Sequence, residues 1–277
     1  MTELADEPGR GLPEGELPEY CEPLHAFHAA ARPELVELYA SLPMSPSTLV
    51  LDVACGDGCH ALGLAARSPR VIGLDRSTAC LRLARSRGVP VPLRADAARL
   101  PFADGRFDLV FCAQSLGSLV DHLGALGEMV RVTRPGGTVA VLESDPVHRI
   151  LLPWDPALEV RVRRAQLEGL TELARRHGMP ADKFMCARRL DRILRDLGAL
   201  DCRLATLAIT RRAPLGRDEE RFLGAYFADV RLRASDHLGA EDRRALEALT
   251  TPDSPAYLAR DPNFYYTQLE ILALARR

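Results

Sequence analysis

The sequence predicts an α/β protein with a mainly parallel central sheet, and three observations carry that expectation. Between residues 48 and 144, short apolar runs rich in β-branched residues alternate with segments of helical periodicity. The connections between them are short, as they are where a strand feeds the next helix. The runs are also nearly continuous in apolar residues, the pattern of strands covered on both faces.

Residues 1–19, rich in Glu, Pro and Gly, read as a mobile polar tail. From Tyr20 to Leu42 the apolar positions Leu24, Phe27, Leu35, Leu38 and Tyr39 recur at helical spacing, and Pro33 divides the stretch into two short helices. The first strand is expected at 48–53, between Pro46 and Gly56, followed by a helix over 60–67 and a second strand at 71–75. Ser77 is placed to cap the helix running to Arg87. Residues 91–94 make a poor third strand because Pro92 lacks a donor. Residues 107–112 read as the fourth strand, 119–132 as a helix ending before Arg134-Pro-Gly-Gly137, and 138–142 as the fifth strand. Beyond Glu143 the rhythm breaks. Pro146, Pro153 and Pro156 mark a loop; residues 157–177 form an Arg-rich amphipathic helix and 188–197 another, closed by Gly198. Residues 200–210 and 264–274 read as sixth and seventh strands, with a polar helical region at 218–249 between them. The expected organisation is thus a tail (1–19) and one domain (20–277), comprising N-terminal helices (20–45), a core (48–145) and two helical cap insertions (146–180 and 213–262).

The 277 residues carry 36 basic and 38 acidic side chains, a net charge of -2, so the basic excess of a phosphate-tracking nucleic-acid binder is missing. At 47% hydrophobic residues a large core can form. No run of 18 uncharged apolar residues occurs, and the N-terminus lacks the basic start and apolar stretch of a signal peptide; a cytoplasmic protein is expected. The seven cysteines are scattered without a Cys-x-x-Cys pair, which indicates neither a metal site nor a disulfide framework.

Chemistry concentrates where the first strand runs into Asp52-Val-Ala-Cys-Gly-Asp-Gly58. Gly56 and Gly58 allow a tight turn that brings backbone N–H groups close to a ligand, at the positive end of the helix that follows. The second strand ends in Asp75, about 20 residues on, where an acid can accept both hydroxyls of a ribose. Gly56-x-Gly58-x-x-Ala61 nominally fits a dinucleotide fingerprint. Asp52 argues against that ligand: a carboxylate in the turn repels a pyrophosphate and attracts a cationic tail, so a nucleoside bearing an ammonium or sulfonium group fits better.

These residues resemble the class I S-adenosylmethionine (SAM) dependent methyltransferases, most closely the subgroup of ubiquinone and small-molecule enzymes. Four segments match in order and spacing: 50–58; 71–75; Arg94-Ala-Asp-Ala97 with Leu100-Pro-Phe102 and Phe107-Asp-Leu-Val110; and 131–137. The resemblance implies a Rossmann-like sheet of seven strands in the order 3-2-1-4-5-7-6, the seventh antiparallel. It also implies SAM as cofactor and S-adenosylhomocysteine as product. Asp52, with the Gly56 and Gly58 backbone, would lie along the methionine part, Asp75 would hold the ribose, Asp96 the adenine amino group, and the Ala97 N–H a ring nitrogen. Gln114 would face the methionine part. Two positions depart from the family pattern: Ala54 replaces a glycine, and Arg76 stands where an apolar residue covers adenine, a role its aliphatic stem can fill.

A substrate is expected above the ends of the fourth and fifth strands, enclosed by the segments outside 48–144, which suits a small molecule. His148 follows the fifth strand and is the first candidate base, because histidine titrates near neutrality. His28, a second catalytic candidate, and Tyr20, a candidate for cofactor binding, lie in the N-terminal helix, placed to contact SAM or the substrate. His122 reads as a helix start, Trp154, Tyr226, Tyr265 and Tyr266 as an aromatic lining or plain core, and the arginines of 157–176 as a solvated face. The expected function is methyl transfer from SAM to a small organic molecule. SAM binding without transfer, and RNA or protein methylation, are the alternatives.

Overall fold

In the computed structural model, described at residues 21–146, 150–180 and 183–277, each apolar run becomes a strand of one sheet. The expected tail lies outside the described residues. Strands β1 (Val50–Val53), β2 (Val71–Asp75), β3 (Val91–Arg94), β4 (Phe107–Ala113) and β5 (Thr133–Ser144) are parallel and lie in the order β3-β2-β1-β4-β5. A two-residue strand β6 (Ile150–Leu151) follows. The expected sixth and seventh strands are therefore β7 (Asp201–Arg212) and β8 (Tyr265–Arg276). β8 runs antiparallel to β5, with Leu142 opposite Leu272, and to β7, with Ile209 opposite Gln268. β6 pairs with β8 at Gln268 and Thr267, continuing the line of β5 past Ser144. The principal order is thus β3-β2-β1-β4-β5-β8-β7, the arrangement implied by the family resemblance.

Strand alternation sorts the core into two layers. Val50, Leu109, Phe111, Ala140, Leu142 and Leu272 pack on one face, beneath α1 (Cys21–Ala30), α2 (Arg32–Ser41) and α3 (Cys59–Ala65). Leu51, Val53, Val110, Cys112, Val139, Val141 and Ala273 pack on the other, beneath α5 (His122–Val132) and α7 (Leu190–Asp196). Side chains at 50 and 52 share a face, so Asp52 is turned toward the α1–α3 layer.

Local chemistry explains the boundaries. Pro33 sits in the first turn of α2, where its missing N–H costs nothing, and the break falls at Ala31. The Ser77 hydroxyl accepts the Cys80 N–H at 3.2 Å and caps α4 (Thr78–Ser86). α5 starts at His122, three residues later than the periodicity suggests, because Asp121 accepts the Gly124 N–H at 2.7 Å. At the other end of α5, Thr133 already faces Phe107, and pairing resumes with Thr138 opposite Leu109, so 134–137 bulges out around Gly136 at φ 75. Asp108 ties that corner, accepting the Leu49 N–H at 2.7 Å and the Arg134 Nε–H at 2.5 Å.

The region after β5 supplies α6 (Pro156–Arg176), α8 (Arg217–Ala234) and α9 (Ala240–Thr250). α6 and α8 approach closely: a Cβ on Gly169 would lie 2.2 Å from the Arg233 carbonyl oxygen. Arg164 and Arg176 of α6 form exposed i,i+4 pairs with Glu168 and Glu172, the expected solvated face. Arg163 departs from that expectation. It is buried, donating to the Tyr226 hydroxyl at 2.6 Å, to Gln166 Oε1 at 3.0 Å and to the Ile150 carbonyl, and so ties α6 to α8 and β6. All seven cysteines are free thiols; Cys21 and Cys80 Sγ approach to 3.6 Å. Among the described residues no helix is long and apolar enough to cross a membrane.

Candidate functional site

β1 feeds directly into a strained turn. Ala54, Gly56 and Gly58 have φ of 56, 53 and 84, three left-handed residues in five. At Gly58 a Cβ would also lie 2.4 Å from Val89 Cγ2, so glycine is required twice over. Ala54 adopts the same region at a cost of about 1–2 kcal/mol.

Asp52 is 1% exposed, and its Oδ2 has no hydrogen-bond partner. Burial pushes its carboxyl well above the usual carboxylate range; the nearby Asp75 and Asp57 push the same way, and the Ala61 N–H pulls it back. Asp75, at the end of β2, accepts the Gly56 N–H through Oδ2 at 2.9 Å and the Ser77 N–H through Oδ1 at 2.8 Å. Burial raises its carboxyl as well, opposed by those two N–H groups. One carboxylate thus joins the turn after β1 to the turn after β2, at the carboxyl edge where ligands of parallel sheets bind. Along the same edge, Arg76 is exposed and its carbonyl accepts the Arg94 Nε–H at 3.2 Å. Asp96 is exposed beyond β3 with Oδ1 on the Ala98 N–H at 2.9 Å, and Ala97 is buried beside it.

Gln114 closes β4 in a left-handed conformation, φ 51, with its N–H on the Leu142 carbonyl at 2.7 Å. A non-glycine residue held there is a strained point of the kind found at binding sites. Its Oε1 meets His28 Nε2 at 3.0 Å, and its Nε2 donates to Glu270 Oε2 at 3.2 Å. The structure thus joins two residues that the sequence singled out for separate reasons. The His28 ring packs edge-on against His60, centroids 4.5 Å apart, and His60 Nδ1 meets the Tyr39 hydroxyl at 2.8 Å. Burial lowers the pKa of both imidazoles, so both are neutral near pH 7; for His28 the bond to Gln114 and the charge of Asp57 oppose the shift, while His25 and Arg87 add to it.

Tyr20 and His148 lie outside the described residues. Trp154, Tyr226 and Tyr266 are buried, whereas Tyr265 is 45% exposed and lines no interior. His122 is buried at the first position of α5, as its reading as a helix start implies. The sequence reading missed His60, Tyr39, Gln268 and Glu270. A signal for the last two exists: they alternate on a strand whose neighbours are apolar, and such polar pairs in a buried strand need partners.

Among the buried polar atoms without partners are His28 Nδ1, His60 Nε2 and Asp52 Oδ2 at this site, and Gln268 Oε1 on β8. Each costs about 1–3 kcal/mol when left unmatched. The set fits a nucleoside with a cationic tail: an unmatched acid, a glycine turn and a second acid at the next strand end.

Residues 51–141 match the family of methyltransferase domains. Over 114 residues the chain is 43% identical to the demethylmenaquinone methyltransferase of Mycobacterium sp. (strain KMS), covering 41% of this chain and 49% of that one. Over 104 residues it is 44% identical to the demethylmenaquinone methyltransferase of Thermus thermophilus, covering 35% and 47%. Within residues 51–141 this chain is similar to methyltransferase domains. It spans about half the length of the curated relatives it matches. In fold, the chain resembles the YcgJ protein of Bacillus subtilis (17% identity, 89% of this chain and 98% of that one, TM-score 0.52). It also resembles Haemonchus contortus phosphoethanolamine N-methyltransferase 2 (16% identity, 94% and 58%, TM-score 0.50). The family match ends inside β5; α6, α8 and β8 lie beyond it.

Proposed function

We propose that the protein transfers a methyl group from SAM to a small organic molecule in the cytoplasm. The observation that carries this reading is Asp52: a buried carboxyl with an unmatched oxygen at the glycine turn, surrounded by acids, suits a cationic ligand. Asp52 and the Gly56–Gly58 backbone hold the methionine part, Asp75 the ribose, and Asp96, Ala97 and the Arg76 stem the adenine. Bound there, SAM supplies an activated sulfonium methyl.

The protein's own share is alignment, desolvation and proton handling. His28, neutral and hydrogen-bonded to Gln114 beside the methionine position, takes the acceptor's proton where the acceptor is a hydroxyl or carbon acid. His148, the first candidate from the sequence, remains an alternative base through its position just after β5. The described parts of segments 20–45, 146–180 and 213–262 cap the acceptor side; since His28 Nδ1 is sealed from solvent, they open to admit substrate. The relatives named for a quinone precursor and the buried aromatics Trp154, Tyr226 and Tyr266 support an aromatic or quinol-like acceptor. The net charge of -2 favours a small molecule over nucleic acid, and seven free thiols favour a reducing compartment.

Incubation with methyl-labelled SAM and a panel of small phenols and quinols tests the reading. Label is expected in an organic product, and at sharply reduced rate with Asp75→Ala at limiting SAM. Cofactor binding without transfer to any acceptor of the panel would favour a SAM-binding protein that does not methylate.

A further inference from the structure

The buried face of β8 carries an unbroken polar row in a strand that otherwise packs apolar side chains. Tyr266, Gln268 and Glu270 alternate onto one side of the strand and are all 0% exposed. Two carboxamides converge on Glu270: Gln268 Nε2 donates to Oε1 at 2.5 Å, and Gln114 Nε2 to Oε2 at 3.2 Å. In both contacts the amide NH2 group donates and a Glu270 oxygen accepts. That fixes the other end of Gln114. Its carbonyl oxygen faces His28 Nε2 at 3.0 Å, and a carbonyl oxygen has no proton to give. His28 must therefore carry its proton on Nε2, and its Nδ1, which has no partner, keeps a lone pair.

We infer that Glu270, held by Gln268 and acting through Gln114, is a positioning residue that fixes the His28 tautomer with Nδ1 as the basic nitrogen. The catalytic use of this row rests on the methyl-transfer reading above. In the reaction the acceptor's heteroatom or carbon forms a bond to the methyl as the carbon–sulfur bond breaks. Sulfur keeps that electron pair, and the acceptor's proton moves to His28 Nδ1. The resulting imidazolium still donates through Nε2 to Gln114, so the row need not rearrange. Groups facing His28 from other elements are His60 on α3, Asp57 on the turn after β1 and Arg87 after α4; His25 faces it from its own helix. Asp57 is paired with Arg87, so its charge is partly offset.

The test is long-range proton–nitrogen NMR on protein labelled with ¹⁵N in histidine, for the wild type, Gln114→Met and Glu270→Met, with S-adenosylhomocysteine titrated into each. Wild-type His28 is expected as a single neutral Nε2–H tautomer. Both variants should give a mixed or reversed His28 tautomer. S-adenosylhomocysteine affinity of Glu270→Met should stay within about threefold of wild type. If it refolds poorly, Glu270→Gln, which keeps the volume but adds a donor to the row, should also perturb the tautomer. An Nδ1–H tautomer in the wild type, or an unchanged tautomer in both Gln114→Met and Glu270→Met, would overturn the proposal. Failure of the wild type to bind S-adenosylhomocysteine would instead strike at the methyl-transfer reading and leave the tautomer result standing.

Discussion

Replacing His28 with alanine is expected to lower the rate of methyl transfer by roughly 10²–10⁴-fold with an acceptor that must lose a proton, the range of a positioned general base. S-adenosylhomocysteine affinity should barely move, because His28 is assigned to the acceptor's proton and not to the cofactor's charge. The pH–rate profile should also change. Burial lowers the His28 pKa, so the imidazole remains a free base on the acid side of the ordinary histidine range. Wild-type activity should accordingly persist below pH 6.5, and the residual activity of His28→Ala should lose that acid limb. Steady-state rates across pH 5–8 with an acceptor from the panel give both readings. A fall of less than about threefold would leave alignment as the protein's whole contribution and return attention to His148.

Asp52→Asn is expected to weaken cofactor binding and, in the free protein, to strengthen the fold. Binding should weaken about 10–100-fold, since a hydrogen bond to a charged group contributes about 1.5–3 kcal/mol. The gain in stability follows from the direction of the shift. Burial raises the folded pKa of Asp52 above its unfolded value near ~3.9. The native state thus holds a proton that the unfolded chain releases, so the Asp52 contribution is greatest below that pH and is lost as pH rises toward the folded pKa. Asparagine removes the titration. Thermal unfolding without ligand should show the variant melting higher, by about 2–4 °C per kcal/mol recovered, with the difference wider at pH 7 than at pH 5. A lower melting temperature at pH 7 with unchanged affinity would mean that Asp52 is a core residue and not a waiting counter-charge.

Much of this was legible in the sequence, because the signals are local. Val50–Val53 and Val71–Asp75 are apolar runs ending in an acid, and a glycine turn followed by such a strand leaves few readings open. Pro33 and Ser77 each act where backbone chemistry places them. What stayed hidden depends on distant pairing. Gln114 could be placed at the end of β4, but its partners His28 and Glu270 are 86 and 156 residues away, joined only because β8 inserts antiparallel beside β5. His60 looked like an ordinary first-turn residue of α3 until α1 folded over it. Arg163 could not be told from the other arginines of α6, since helical periodicity marks an apolar stripe and not the one guanidinium that a tyrosine on α8 turns inward. The two-residue strand β6 was too short for any pattern to show.

The central claim is that the turn at 52–58, joined to Asp75, holds the nucleoside of SAM. Calorimetric titration of S-adenosylhomocysteine into the wild type and Asp75→Ala tests it most directly. Saturable one-to-one binding to the wild type is expected, with a loss of about 1.5–3 kcal/mol in the variant. Equal affinity in the two proteins, or no binding to the wild type, would contradict it.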